Sequence, residues 1–337
     1  MDFIAPSSPQ YKANLHSHSV LSDGHMTPEA LAEAYRENGY SILAITDHEA
    51  PYDHTALSRR DFLMLTGYEA YIRPSPVCAI DRFGPEIHLN LLAKDPHNTT
   101  FIGYDPNFCK YMPPEEAASR KKAGDLGPRR YDPVYIQRFI DAARANGYLV
   151  TYNHPVWSME DQETILSYEG CFSLEMFNTG SMVINGMECN QALYDQFLRR
   201  GKKLWVHGAD DNHNAKPLDD PFSDSFGAWA MILAEELSYD AVIRALEQGR
   251  FYASTGPTIT CLTFDGARVH MEFTGAARAI MHMSPKYAVR VYNGDGSPVT
   301  CADFVIPENA PYVYFSVLAK DGTQAFTHAF TRADLGI

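Results

Sequence analysis

The sequence predicts an α/β domain followed by a small all-β domain, and three observations carry the prediction. Strand-like and helix-like stretches alternate through the first three quarters of the chain. One of the strands, SILAITDH at 41–48, is an almost unbroken apolar run, as expected of a strand covered on both faces. After GRFYASTGP, which ends at residue 257, the texture turns to short alternating segments separated by DG and NG turns. Repeated βα units suggest either a doubly wound sheet or a closed barrel. Periodicity alone does not separate the two.

The elements follow in order. KANLH reads as a short strand, and TPEALAEAYRENGY as a helix with Thr27 at its N-cap, Pro28 at its first position and Gly39 just past its end. Its apolar stripe runs through Leu31, Ala34 and Tyr35. FLMLTGYEAYI and IHLNLLA read as strands with little helix between them. Residues 95–131 break the rhythm: they are rich in Pro, Gly and Lys/Arg, and SRKKAGDLGPRR is basic. Such a stretch is either a solvated surface excursion or a lid carrying positive charge over an anionic substrate. The cations for the second reading are Arg120, Lys121, Lys122, Arg129 and Arg130.

The alternation then resumes. DPVYIQRFIDAARANG is a helix capped by Asp132, with Ile136, Phe139, Ile140 and Ala143 facing inward. YLVTYNHP, CFSLEMFN and KKLWVHGADDNH are strand-like, separated by helical stretches near 160–167 and 187–199. GAWAMILA and the helix SYDAVIRALEQG, capped by Ser238, complete a domain over 10–255. Residues 256–337, with segments such as RVHMEF, YAVRVY and YVYFSVLA and no helical pattern, form the β-rich appendage.

Composition sets limits on function. Hydrophobic residues make up 45% and charged residues 21% of the 337, an ordinary globular balance. No apolar run is long enough to cross a bilayer, and the start, MDFIAPSSPQYKA, lacks the basic region and apolar core of a signal peptide. The net charge of −14 argues against binding to a nucleic acid polymer or an anionic membrane. The six cysteines, Cys78, Cys109, Cys171, Cys189, Cys261 and Cys301, form no CxxC pair, which favours reduced, internal thiols and a cytoplasmic setting.

A subset of the 13 histidines falls at the downstream ends of these strands. His16 and His18 end the first, Asp47 and His48 the second, Glu69 lies in the third, His154 follows YLVTYN, and Asp211 and His213 follow KKLWVHGAD. His88 is the exception, near the start of its run. Each has an ordinary explanation: a lone His satisfied by hydrogen bonds, Asp23 capping a turn in SDG, NHP as a turn before proline. The set is harder to explain that way. In HxH the two rings leave a strand on one side, and DxH at 211 and 213 repeats the arrangement. Burying many imidazoles and carboxylates together is costly unless cations compensate them. Strand ends converging on one face are where barrels and open sheets place their chemistry. Mixed His, Asp and Glu ligation without cysteine suits zinc, iron or manganese at a hydrolytic centre.

In their order, LHSHSVLSDG, AITDHE, GYE, IHLN, NHP and GADDNH resemble the PHP family, the polymerase and histidinol phosphatase metallohydrolases. FYASTGP with a β-rich tail resembles its CehA/McbA-like branch. The resemblance implies a distorted (β/α)7 barrel holding two or three divalent metal ions on its C-terminal face. It implies that His16 and His18 join Glu69 and Asp211 around one ion, and that Glu69 bridges to a second held by His88 and His154. Asp23, His48 and His213 would hold the third. Asp210, pointing away from Asp211 on an extended chain, is expected to be a hydrogen-bonded neighbour, and His207 a core residue. Glu175 and Asn178, ending another strand, are expected to support the ligands or face substrate.

The chemistry that fits is hydrolysis of a small phosphorylated molecule by a metal-bridging hydroxide, with Glu69, Asp211 and His154 as the catalytic groups. A rival reading is attack on an amide or carbamate carbonyl, for which 12% aromatic content and the tyrosines Tyr68 and Tyr71 beside Glu69 leave room for an apolar pocket. The third is a non-catalytic, metal-stabilised binding protein. Oligomeric state is not legible.

Overall fold

The structure is a computed structural model that describes residues 1–74, 84–187, 189–284 and 286–337. Cys78 lies outside the described residues. The first half builds outward from strands buried on both faces. β1 (Asp2–Ile4), β2 (Tyr11–Asn14) and α1 (Pro28–Glu37) lead to β3 (Ile42–Ile45), β4 (Leu63–Ile72) and β5 (Ile87–Ala93). Thr27 caps α1 by accepting from the Ala30 N–H, and Leu31, Ala34 and Tyr35 are buried on it. β3 and β5 are buried at every position.

Next come β6 (Phe101–Ile102), α2 (Pro114–Ser119), β7 (Lys122–Ala123), α3 (Pro133–Ala145), β8 (Tyr148–Tyr152), α4 (Gln162–Ile165) and β9 (Ser173–Asn178). Asp132 caps α3, which buries Ile136, Phe139, Ile140 and Ala143. α5 (Thr179–Asn185), α6 (Gln191–Arg199), β10 (Trp205–Ala209), β11 (Trp229–Ile232), α7 (Tyr239–Glu247) and β12 (Phe251–Ser254) follow, α7 being capped by Ser238.

The main sheet runs β10-β9-β8-β5-β4-β3-β2-β11-β12. β2, β3 and β4 are parallel, as are β8, β9 and β10, but β5 is antiparallel to both β4 and β8. That reversal explains the missing helix between β4 and β5, since antiparallel neighbours need no crossover. It also explains why His88 sits at the start of its strand. Running backward, β5 brings its first residues to the end where its neighbours finish. Past β2 and β10 the chain forms a parallel bridge, Ser17 with Asn212, so the two ends of the run β10 to β2 meet.

Residues 95–131 are not a bare excursion. β6 and β7 pair, and Phe101, Ile102, Cys109, Met112 and Ala117 are buried against the α3 side of the sheet.

The last part contains β13 (Ile259–Asp265), β14 (Arg268–Ala276), β15 (Arg278–Ser284), β16 (Tyr287–Val291), β17 (Val299–Val305), β18 (Tyr312–Leu318), β19 (Gln324–Phe326), β20 (Phe330–Thr331) and the short α8 (Arg332–Leu335). One layer is the sheet β1-β13-β14-β17; the other, β19-β18-β15-β16, continues the main sheet through the β12–β19 pairing. Two findings differ from the sequence reading. The chain pairs from its second residue, because Phe3 and Ile4 are buried in the core shared with β13 to β18. The end also holds one helical turn, α8, closed by a capping box of Thr331 and Asp334. Among the described residues, no helix is long and apolar enough to cross a membrane.

Candidate metal centre

The HxH and DxH segments are stitched together by their own main chains. The His18 N–H donates to the Asn212 carbonyl (3.0 Å) and the Asp211 N–H to the His16 carbonyl (2.9 Å). Side chains far apart in sequence therefore share one pocket: His18 Nε2 and His16 Nε2 each lie 3.1 Å from Asp211 Oδ1. Asp211 itself has φ 53° and His154 φ 22°, left-handed values that a non-glycine residue adopts only under constraint.

Glu69 is the centre of the arrangement and is 0% exposed. Its Oε1 faces His16 Nε2 (3.1 Å), His88 Nδ1 (3.1 Å) and His154 Nε2 (3.4 Å). Its Oε2 faces His48 Nδ1 (2.9 Å) and His18 Nε2 (3.4 Å). Asp23 lies farther out, 3.7 Å from His48 Nε2 and 3.5 Å from His213 Nε2, and the His213 ring stacks on His18 at 4.4 Å.

Among the described residues, three donor groups, each with ligand atoms within 4.8 Å of one another, emerge from this geometry: His16, His18, Glu69 and Asp211; His18, Asp23, His48 and His213; and His48, Glu69 and His88. These groups are capable of coordinating two or three metal ions. The first contains the residues the resemblance assigns to one ion. The second adds His18 to the expected Asp23, His48 and His213. In the third, His48 takes the place expected of His154, which stands slightly back from Glu69.

The donor chemistry fits a cation. His48 Nδ1 and Glu69 Oε2 approach to 2.9 Å, yet both are buried and neither makes a hydrogen bond. His16 Nε2 and His18 Nε2 point at each other across 3.2 Å. Burial opposes charge on His18, but its hydrogen bond to Asp211 and the neighbouring Glu69 carboxylate outweigh it and push the imidazole up to about 10. His88 is likewise raised to about 10 against burial, by the charges and hydrogen bonds of Glu69 and Glu86. Burial would raise Glu69, yet the His16, His88 and His48 charges hold it well below the usual carboxylate range. Without a cation, protons on His18 and His88 would balance these carboxylates, a charge that bound cations would replace.

Supporting groups hold the ligands in place. Glu175 Oε1 takes the His16 Nδ1 contact at 2.7 Å, its Oε2 accepts from the His154 N–H, and Asn178 donates to it at 2.8 Å. Both Glu175 and Asn178 are fully buried and support the ligands from behind. Asp47 accepts from the Ser19 N–H and from the Ser19 and Ser22 hydroxyls, which fixes the loop after HxH. Asp210 accepts from Tyr35, Thr179 and the Phe226, Gly227 and Ala228 N–H groups, so it is committed elsewhere. His207 is buried against Ser173.

The ligands open onto a cavity of about 1280 Å³, whose lining includes Asp23, His48, His88, His154, Asp211 and His213. None of the five insertion cations lines it. Arg129 is buried in an ion pair with Glu49, Arg120 pairs with Glu116 at 2.7 Å, Arg130 lies 3.7 Å from Asp132, and Lys122 donates to the Ala117 and Ala118 carbonyls. Lys121 lines a separate surface pocket with Lys94 and His97. Basic residues in a loop find nearer carboxylates and carbonyls, and those partners take them away from the cavity. Lys216 and Arg73 line it instead. Sequence reading also passed over Glu86, 2.9 Å from His88 Nε2, although Glu86 and His88 repeat the same-side spacing of HxH. Tyr111 and Trp157, which reach the cavity from loops, had no such signal.

The PHP domain family model matches residues 14–103. This stretch is similar to a PHP domain. The PHP region holds His16, His18, Asp23, His48, Glu69 and His88, while His154, Asp211 and His213 come from beyond it. The chain is also 32% identical over 154 residues to an error-prone DNA polymerase of Mycolicibacterium paratuberculosis, a match covering 44% of this chain. The matched part spans only 13% of that relative's length. Among solved structures, it is similar to a two-domain protein containing a predicted PHP-like metal-dependent phosphoesterase from Bacteroides vulgatus, at 14% identity and TM-score 0.46, covering 97% of this chain and 96% of that one. An amidohydrolase from Chromobacterium violaceum is similar at 17% identity and TM-score 0.39, over 71% of this chain and 96% of that one.

Proposed function

We propose that the protein is a metal-dependent phosphoesterase acting on a phosphate ester of a small molecule. The observation that carries this reading is Glu69, a buried carboxylate facing five imidazoles and shared between donor groups that open onto one cavity. His16, His18, Glu69 and Asp211 would hold one cation, Glu69, His88 and His154 a second, and Asp23, His48 and His213 a third. Zinc, manganese and iron all suit these donors. Bound there, such ions supply Lewis-acid charge and lower the pKa of water.

The chain's own groups do the rest. Glu175 orients His16 through Nδ1, which fixes the tautomer that presents Nε2 to the site. Lys216 places positive charge on the cavity wall for an anionic substrate, and Arg73 lines the wall 3.7 Å from Glu86. The Tyr111 ring stacks on His48 at 5.9 Å, and its hydroxyl donates to Asp23 Oδ2 at 3.5 Å. Hydrolysis of the ester consumes one water, breaks the bond from phosphorus to the alcohol oxygen, and returns a proton to that oxygen. No serine or cysteine nucleophile is required.

The PHP match over 14–103 and the alternation of elements support reading 10–255 as the unit carrying the site and 256–337 as a smaller β unit. The Ser17–Asn212 bridge supports a barrel for that unit, closed through β2, β3, β4, β5, β8, β9 and β10. The polymerase relative suggests a nucleic acid, but the net charge of −14 favours a small substrate. The second reading, attack on an amide or carbamate carbonyl, is favoured by the apolar side chains on one side of the cavity. Metal quantification on purified protein, followed by phosphomonoesters and anilides assayed with the metals found, separates the readings. Release of inorganic phosphate supports the first and amine release the second. Metal bound without turnover on either leaves a binding protein.

A further inference from the structure

Asn153, which opens the NHP segment, is joined to all three residues proposed for the second cation. Its side-chain Nδ2 donates to Glu69 Oε1 at 2.6 Å, its main-chain N–H donates to the His88 carbonyl at 3.2 Å, and His154 follows it in the chain. The pairing of strands brings these groups together. Asn90 on β5 stands opposite Glu69 on β4 and opposite Thr151 on β8, so the three lie abreast, and Asn153 comes just past the end of β8. Glu69, Asn90, Thr151 and Asn153 are all fully buried. The amide is held one way round. The Thr151 hydroxyl donates to Asn153 Oδ1 at 2.6 Å, and the Asn90 N–H donates to the same oxygen at 3.4 Å. A main-chain N–H only donates, so the atom it faces is the amide oxygen, and the NH2 is left for Glu69.

We propose that Asn153 is a positioning residue that divides the two oxygens of Glu69 between ion positions and thereby forms the site of the second cation. Glu69 Oε1 faces His16, His88 and His154, whereas Oε2 faces His48 and His18. A carboxylate free to turn would not keep that division. The Asn153 amide fixes Oε1 on the His88 and His154 side, and because a carboxylate oxygen accepts more than one bond, Oε1 keeps a lone pair for a cation. Thr151 acts one step behind, by fixing the amide. The proposal rests on the metal-binding part of the hydrolase reading and takes no side on the bond that is cleaved.

The test loads the metal-free full chain with manganese(II). Calorimetry gives the affinity of each ion, elemental analysis after dialysis gives the number bound, and electron paramagnetic resonance shows whether bound ions are magnetically coupled through a shared ligand. Asn153→Leu keeps the volume and removes the donor; Thr151→Val keeps the donor and frees the amide to turn. In Asn153→Leu the first ion should bind as in the wild type, the second should bind about 10- to 100-fold more weakly, and the coupled signal should give way to that of an isolated ion. Thr151→Val should weaken the second ion by a smaller factor. If Asn153→Leu fails to fold, as read by circular dichroism without metal, Thr151→Val decides alone. An unchanged second affinity, or an equal loss at both ions, overturns the proposal while two bound ions leave the hydrolase reading standing. A wild-type chain that binds fewer than two ions overturns both. Selective loss of the second ion, in a protein that turns over neither phosphomonoesters nor anilides, sustains the proposal and removes the hydrolase reading.

Discussion

Glu175 offers no surface to the cavity, yet it joins three parts of the centre: the His16 ring, the His154 main chain and the Asn178 amide. Glu175→Gln keeps the shape but loses the charge that orients His16. Metal affinity, measured by calorimetry, should fall about 10- to 100-fold. Asp211→Asn should cost metal occupancy and turnover together, and normal metal content in that variant would count against its role as a ligand. The neighbouring Asp210 shows how much of the site the sequence carried. Alternation along an extended chain separates the two carboxylates, but Asp211 is left-handed, not extended. Asp210 is taken out of the site by the donors that surround it, among them Tyr35 and Thr179. Those partners come from other parts of the chain, which a local pattern does not report.

At the scale of elements, the loop after HxH depends on close approach. A Cβ on Gly24 would lie 2.3 Å from the His18 carbonyl oxygen, and the Gly24 N–H bonds to the Ser19 carbonyl at 3.0 Å. Gly24→Ala should therefore displace His18 and Asp23 and lower metal content, read by metal analysis at unchanged secondary structure. The 95–131 segment makes a second case. Its Arg129 guanidinium is 0% exposed and paired with Glu49, the residue after His48 in the TDHE motif. Arg129→Met leaves Glu49 buried without its partner and should cost about 3–5 kcal/mol in urea unfolding. Replacing both by leucine should cost less, because no charge is then stranded. The basic composition of this segment was legible, and it permitted either a surface loop or a charged lid. What decides is the distance to the nearest carboxylate, a tertiary quantity.

At the scale of the molecule, β19-β18-β15-β16 extends the main sheet through β12, and β1 closes the other layer. Deleting residues 257–337 should leave the β12 edge and the core around Phe3, Ile4 and Trp229 uncovered. The truncated chain is expected to lose cooperative unfolding by circular dichroism. The same region sets a pH dependence. Burial depresses His328 to about 4 from an ordinary 6.5, with Lys203 adding to the effect. Its folded-state pKa lies below the unfolded one, so its contribution is full above pH 6.5 and is lost as pH falls toward 4. The loss amounts to about 3 kcal/mol for a shift of this size. His328→Gln should flatten that part of the stability profile, measured by denaturant unfolding at pH 7, 5 and 4.

The sequence alone determined the residue types of the centre, the helices with their Thr27, Asp132 and Ser238 caps, and the change to β texture after residue 256. These are local properties, set by period, propensity and short-range spacing. Only the tertiary structure decided that β5 runs backward and carries His88 to the ligands, that the insertion's Arg129 is buried, and that an apolar wall faces the metal ligands. Each of these depends on which distant groups become neighbours, and burial and pairing energies are defined only once that neighbourhood exists.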